Sequence, residues 1–433
     1  MRVSPRIRVR VSHSICSSPM FHIVGGGLAG LSAALDLAEG GQRVTLYESS
    51  RQAGGRCRSY FDKELGCRID NGNHLLLSGN RAAHGFLQRI GASDSLSGPG
   101  RPLFPFADLT DGSFWSVQPG LGRLPLWLLK RQARVAGTKA RDYLSLLRIL
   151  RAQKEATVQD LALPEPLFRR LLEPLAVSAL NTRPHEASAS LFGAIIHETL
   201  AEGGSACIPA IPREGMSESF VDPALSRLSA LGAEIRLGHR IVSLTIENGR
   251  VATLGDIRLG PADKVILAVP AWVAADLLPG LTVPDQHEAI INLHFRTPQA
   301  SSTNPDFIQA GFIGVVGGTA EWIFRRPEVL SVTISAANHL LDDPDVPERV
   351  WDDIRRATGQ QGQMPKLRIV REKRATFLAS PAQNARRPQA DFMLQCGITN
   401  LVLAGDWTAT GLPATIEGAI RSGSIAVKML LPG

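Results

Sequence analysis

The stretch "HIVGGGLAGLSAALDLAEGGQRVTLYESSRQAGGRC", His22 to Cys57, decides the fold. With Phe21 it opens on a short, β-branched apolar run of the kind a buried parallel strand requires. Gly25-x-Gly27-x-x-Gly30 follows, and Leu28, Leu31, Leu35 and Ala38 then recur at helical spacing. Gly40 and Gly41 stop that helix, because glycine takes the left-handed cap without steric cost. "RVTLYE", Arg43 to Glu48, reads as the next strand. The unit is strand, glycine turn, helix, strand.

Such a turn serves a dinucleotide. Backbone without Cβ atoms approaches a pyrophosphate closely, and the negative charge meets free N–H groups at a helix N-terminus. Gly25, Gly27, Leu28, Ala29 and Gly30 are therefore the expected cradle. Glu48 ends the second strand about 20 residues on, where a carboxylate accepts both hydroxyls of an adenosine ribose. The same charge repels a 2′-phosphate, which argues against NADP at this site. Gly54-Gly55 lets the chain fold back over the dinucleotide, and Arg56 is placed to pair with phosphate. The plainer reading of Arg56 is a surface charge.

The far end supplies a second such unit. "NLVLAGDWTATGLPATIEGAIRSGSIAV", Asn400 to Val427, reads as a strand over Leu401–Ala404, a tight Gly405-Asp406 turn and a helix starting near Pro413. With Ile416 in its opening turns, that helix aims a positive dipole end at a ligand. In a flavoenzyme the ligand part is the pyrimidine edge of the isoalloxazine, which carries negative charge when reduced. Asp406 has two compatible readings, a ligand for ribityl hydroxyls and a helix cap.

Composition bounds the rest. The 433 residues are 44% hydrophobic and 20% charged, the balance of a globular protein of two domains or one large composite domain. Cys16, Cys57, Cys67, Cys207 and Cys396 form neither a C-x-x-C pair nor a metal-ligand spacing, so no metal is expected. They read as reduced thiols of a cytoplasmic protein, most of them buried. The net charge of +7 permits an acidic partner. No nucleic-acid motif accompanies it, which leaves anionic lipid as the candidate. The longest apolar approach, "AVPAWVAADLLPGLTVP", is broken by Asp276 and three prolines, short of the ~18 apolar residues a spanning helix needs. The basic segment 1–19 lacks an apolar h-region and reads as a disordered extension, with Met20 opening the folded part.

Gly25–Gly30 with Glu48, Gly54-Gly55-Arg56 and the terminal Gly405-Asp406…Pro413…Glu417-Gly418-Ala419 together resemble the FAD-dependent amine oxidase and phytoene desaturase superfamily. More narrowly, "AGGRCRSYFD…IDNGNHLLLSGN", "EWIF…LSVTISAA" and "LAGDWTATGLPATIEGAIRSG" resemble the hydroxysqualene dehydroxylases of hopanoid biosynthesis. The resemblance runs from about Met20 to the C-terminus. It implies an α/β fold, a Rossmann-like FAD-binding domain interwoven with an α+β substrate domain. The expected partition is 20–100, 205–285 and 392–433 for FAD, with 101–204 and 286–391 for substrate. It also implies that Val242 lies near the adenine; read without it, Val242 is an ordinary strand residue.

Between the two ends, 101–204 reads as mostly helical. "SESFVDPALSRLSALGAEIRL" reads as a helix leading to a strand, and "HRIVSLTIENGRVATL" as a hairpin turning at Asn248-Gly249. "DKVILAVPAWVAADLLPG" returns to a buried strand and helix. "GFIGVVGG" and "LSVTISAA" are strands expected to floor a substrate cavity. In "RLPLWLLKRQARVAGTKARDYLSLLRILR" helical spacing puts Tyr143, Leu146, Leu147 and Leu150 on one face. The segment's many bases make it either a solvated cover of the core or a membrane-interface helix.

The resemblance implies reductive chemistry: hydroxysqualene loses water and reduced flavin delivers hydride, giving squalene. That requires an apolar tunnel, a proton source and an electron donor, either NADPH or a partner reductase. Asp70 and His74 of "IDNGNH" are the candidate acids, since a buried carboxyl can stay protonated and donate. The competing reading has both merely tying down a loop. An oxidative carotenoid or squalene desaturase and a non-enzymatic prenyl-lipid chaperone are the rival functions on this scaffold. An amine oxidase fits less well, because Tyr47, Tyr60 and Tyr143 are the chain's only tyrosines.

Overall fold

A computed structural model describes residues 19–297 and 302–431 of the chain. The expected extension falls almost wholly on residues 1–18, outside the described range.

The opening unit forms as its pattern dictates. Strand β1, Met20–Val24, leads through the glycines into helix α1, Leu28–Glu39, and then strand β2, Arg43–Glu48. α1 is buried on nearly every side because it lies between the sheet and the C-terminal helix, Ile416–Leu430. The Ser32 hydroxyl donates to the Ile420 carbonyl at 3.0 Å and ties the two helices together. A five-stranded parallel sheet runs in the order Glu234–Leu237, β2, β1, Lys264–Leu267, Leu401–Leu403. Its strands thus come from three distant parts of the chain. Phe21, Ile23, Leu31, Leu35, Ile266 and Val402 fill the core between sheet and helices.

A second, seven-stranded sheet takes Phe104–Asp108 and Ser113–Val117 from one region and the strands between His287 and Phe377 from another. One face carries Leu293, Ile313, Ile323 and Val332 and packs on the Val346–Thr358 helix through Val350 and Ile354. The other face holds the loop Asn71–Asn73 through Asn292 and Ser331.

The 101–204 region departs from its mostly helical expectation. It opens with a hairpin, Phe104–Asp108 against the edge strand Ser113–Val117; Pro105 lies in the inner of the two, just before its pairing with Phe312–Val316 starts at Phe106. Only after this hairpin does the chain become helical, in short pieces. The basic segment is likewise not one amphipathic helix. It breaks into short turns over Leu126–Leu129, Arg131–Ala133 and Ala140–Ser145, with a helix only at Leu146–Leu150. Pro125 and Gly137 interrupt it, and the expected single face does not exist: Tyr143 is buried whereas Leu147 and Leu150 are exposed.

Two local readings also shift. The terminal helix begins at Ile416, not near Pro413, because Thr415 is its cap and accepts from the Gly418 N–H at 3.0 Å. Val242 belongs to no strand; it sits in the connection before Leu244–Glu247 with its side chain 71% exposed. The hairpin itself turns at Asn248-Gly249, both with positive φ, as the sequence predicts. Among the described residues, no helix is long and apolar enough to cross a membrane. Of the four described cysteines, all free, only Cys396 is exposed.

Candidate flavin and substrate site

The C-terminal ends of β1, β2 and Leu401–Leu403 converge on one edge of the parallel sheet, where ligands of open α/β folds bind. Gly27 is the N-cap of α1, and a Cβ built there would meet nothing within 4 Å. This open space over a helix N-terminus is a cradle that a side chain would fill, and it fits a pyrophosphate. Gly30 has the opposite reason to be glycine. A Cβ there would lie 1.9 Å from the Gly25 carbonyl oxygen, so it serves the close packing of helix on turn.

Gly54 and Gly55 fold back onto this turn. The Gly54 N–H donates to the Gly26 carbonyl at 2.8 Å, and Gly27 and Gly54 form an isolated parallel bridge. Glu48 receives the Gly26 N–H on Oε2 and the Ser50 N–H on Oε1, each at 2.8 Å. Its carboxylate is thus aimed across the cradle. Gly238 and His239 border it, their N–H groups donating to the Ser50 and Glu48 carbonyls, each at 2.8 Å.

At the other end, Gly405 donates its N–H to the Ser422 hydroxyl, which fixes the turn on the C-terminal helix. Asp406 follows, buried, and pairs with Arg56 at 2.6 Å. Arg387 holds the same loop from within: its buried guanidinium donates to the carbonyls of Asp406 and Thr408. Burial pushes the Arg387 pKa down to about 10, with the Asp406 charge opposing the shift. Sequence reasoning missed Arg387, which lies in "ARRPQA" with no motif to mark it.

The two candidate acids part company. Asp70 accepts from the Ser59 hydroxyl at 2.6 Å and the Met216 N–H at 2.9 Å, and pairs with Arg326 at 3.1 Å. In every one of these contacts its oxygens are the acceptors. His74 makes no hydrogen bond within the described residues, and burial lowers its pKa, which favours the neutral imidazole.

The inner face of the seven-stranded sheet supplies what lies beneath this loop. Register places Phe106 opposite Trp115, Gly314 opposite Trp322, Phe312 opposite Phe324, and Phe324 opposite Ser331, all on one face. Phe104, Phe106, Trp115, Phe312, Trp322 and Phe324 pack ring against ring there. A polar island interrupts this aromatic surface. The Asn73 amide donates to Ser331 at 2.7 Å and to Thr333 at 3.0 Å; Thr333 donates to Asn292, and Ser331 contacts His294 Nδ1. Desolvation lowers the His294 pKa to about 4, so its imidazole is neutral. The signal for this island was present in Ser331 and Thr333, which alternate within the otherwise apolar strand Val329–Ile334.

Known proteins match the whole arrangement. The family model for flavin containing amine oxidoreductases matches residues 28–431. Hydroxysqualene dehydroxylase of Zymomonas mobilis is 47% identical, covering 95% of this chain and 98% of that protein. The enzymes of the same name from Sinorhizobium fredii and Rhodopseudomonas palustris are 46% and 45% identical over similar spans. A 15-cis-phytoene desaturase of Glycine max is more distant, at 21% over 94% of this chain and 79% of its own length. Among solved structures, a putative protoporphyrinogen oxidase from Exiguobacterium superposes with a TM-score of 0.64 at 17% identity, covering 95% of this chain and 98% of its own. A putrescine oxidase superposes with 0.66 at 14%, covering 95% and 99%. At such identities the structural likeness speaks for the fold.

Proposed function

This chain belongs to the flavin containing amine oxidoreductase family, and from that premise we propose that it removes the hydroxyl of hydroxysqualene reductively, using FAD, to give squalene and water. Three relatives of that name at 45–47% identity support the substrate. Within the molecule, the observation that carries the reading is the polar island of Asn73, Ser331 and Thr333 set in an aromatic sheet face. The rings themselves are core, at most 9% exposed, and polar groups set against this apolar layer suit a hydrocarbon bearing a single hydroxyl.

The residues present fit the cofactor. The N–H groups around Gly25, Gly27, Leu28, Ala29 and Gly30 hold the pyrophosphate over the open space at Gly27. Glu48 would accept the adenosine ribose hydroxyls, and Val242, exposed three residues after His239, would border the adenine. Gly54 and Gly55 cover the turn, while the Arg56–Asp406 pair would serve the phosphates and the ribityl chain. Ile416 opens the helix whose N-terminus faces the pyrimidine edge. When bound and reduced, FAD supplies the hydride that replaces the departing hydroxyl.

The chain's own part is to bind, orient and keep out water. Aromatic faces cover the apolar chain and offset positive charge as the C–O bond breaks. One proton and one hydride enter, and one water leaves. Hydroxyl and amide groups of the island hydrogen-bond the leaving oxygen. Asp70 anchors the loop, and His74 borders the site as a neutral imidazole. The electron donor is NADPH or a partner reductase, and a membrane surface is the source of so apolar a substrate.

Anaerobic incubation of the chemically reduced protein with hydroxysqualene tests this. Squalene formed in step with flavin oxidation is the expected result. Flavin that stays reduced beside unchanged substrate would count against it; a product with more double bonds, formed by the oxidised protein with an electron acceptor, would instead assign a desaturase, and a purified protein that never binds FAD would assign a lipid carrier.

A further inference from the structure

We infer that the segment from Gly120 to Arg151 is a docking surface for an anionic lipid bilayer, with a ridge of leucines entering the hydrocarbon. It rests on the proposed function only for its purpose; the surface itself stands on exposure and charge.

Seven leucines within this segment face outward: Leu121, Leu124, Leu126, Leu129, Leu144, Leu147 and Leu150. Their exposure runs from 36% at Leu150 to 77% at Leu129. Single exposed leucines are ordinary, but a run of this kind marks an interaction surface. The two groups of leucines are drawn together because Trp127 packs edge-on against Tyr143 at 5.5 Å. The Tyr143 hydroxyl in turn accepts the Val135 N–H at 2.9 Å, so the intervening loop folds back on itself. The ridge is therefore a built surface and not a loose loop.

Charge names the partner. The segment holds eight bases, Arg123, Lys130, Arg131, Arg134, Lys139, Arg141, Arg148 and Arg151, against the single acid Asp142. That surplus of seven equals the net charge of the whole chain, +7, so the remaining residues are neutral in sum. All of these bases except Arg134 are exposed. Arg123 pairs with Glu202 at 2.9 Å; the other exposed bases, interspersed with the leucines along the segment, complement a bilayer, which offers hydrocarbon beneath anionic headgroups. A protein partner would not require the leucines and the whole charge surplus in one place.

The position also serves the site. The Gly204 N–H donates to the Gly120 carbonyl at 3.0 Å and the Ser205 N–H to the Leu121 carbonyl. Ser78 donates its hydroxyl to the Ser205 carbonyl at 2.6 Å, and Leu76 pairs with Ala210. The ridge thus joins, through 204–210, the strand that directly follows His74. Docking would bring the membrane to the same end of the chain path as the candidate substrate site.

Flotation of the full chain with phosphatidylglycerol-containing vesicles, against pure phosphatidylcholine, tests the inference. Binding to the anionic vesicles at low salt is expected, with at least a tenfold loss of partition for the L124S/L126S/L129S/L144S variant. The K130Q/R131Q/K139Q/R141Q variant should lose partition severalfold, as should the unmodified protein in high salt. Turnover of detergent-dispersed substrate should survive in both, which separates failure of docking from failure of the proposed chemistry. Hydrogen exchange on the unmodified chain gives a readout free of folding effects: vesicles should slow exchange across 121–150. Three results would overturn the inference: wild-type partition by the leucine variant, indifference of the native chain to anionic vesicles, or a stable dimer that the leucine variant dissociates without change in partition.

Discussion

Arg56 and Asp406, 350 residues apart in the chain, meet in an ion pair at 2.6 Å. This contact ties the glycine turn that follows the second strand to the turn that precedes the last helix. The guanidinium is 42% exposed and the carboxylate 10%, so solvent screens one partner and not the other. Asp406→Asn should therefore cost only about 1–2 kcal/mol of stability. A loss of FAD affinity of tenfold or more should accompany it. Urea unfolding and flavin titration of the single and double variants measure both, and additivity in the double-mutant cycle would deny the coupling.

The glycine turn separates fold from function at two neighbouring sites. Gly27→Ala adds a methyl to open space, so the cofactor-free protein should keep its stability within about 0.5 kcal/mol while FAD binding weakens strongly. Gly30→Ala drives a Cβ toward the Gly25 carbonyl and should destabilise the protein by several kcal/mol, about 3 or more. Equal melting temperatures for the two variants would refute this division.

Asp70→Asn leaves Arg326, 11% exposed, without its anionic partner. Removing one member of a buried pair costs about 3 kcal/mol, and the variant should melt early. Its single-turnover flavin oxidation, measured on folded protein, should be close to wild type, since Asp70 is the acceptor in each of its hydrogen bonds and is held by Arg326. A large fall in that rate with stability intact would return Asp70 to acid duty.

Glu321 gives a pH signature. Desolvation raises its pKa to about 7, with the Ser335 N–H and Arg183 opposing the shift and Glu173 adding to it. A carboxyl raised on folding is tolerated best when protonated. Its favourable state is fully present below the unfolded value of 4.5 and is lost as pH rises through about 7. Glu321→Gln, which keeps an acceptor for the Ser335 N–H, should therefore stabilise the protein by about 2 kcal/mol at pH 8 and by almost nothing at pH 4. Thermal melts at both pH values check the sign; a gain confined to acid pH would contradict it.

Much of the nucleotide half was legible in the sequence, because its devices are local. Gly27 caps the helix that it opens, Gly30 packs on Gly25, Glu48 is marked as the last residue of its strand, and Gly405-Asp406 as the break between a strand and a helix. The Asn248-Gly249 turn was readable for the same reason. Where local rules were overruled, the cause was competition nearby. Thr415 captured the helix start from Pro413, and Pro125 and Gly137 broke the basic segment that helical spacing alone would have made continuous.

What the chain's order of residues determined by itself was a βαβ unit with a phosphate-ready turn and a matching unit at the far end. Backbone conformation and period carry that information within short windows. Only the tertiary structure decided that Arg56 turns to Asp406, that Asp70 is consumed by Arg326, and that Asn73 meets Ser331 and Thr333 on an aromatic sheet face. Those contacts join residues hundreds of positions apart, and partners so distant are selected by sheet register and burial, which no local pattern encodes.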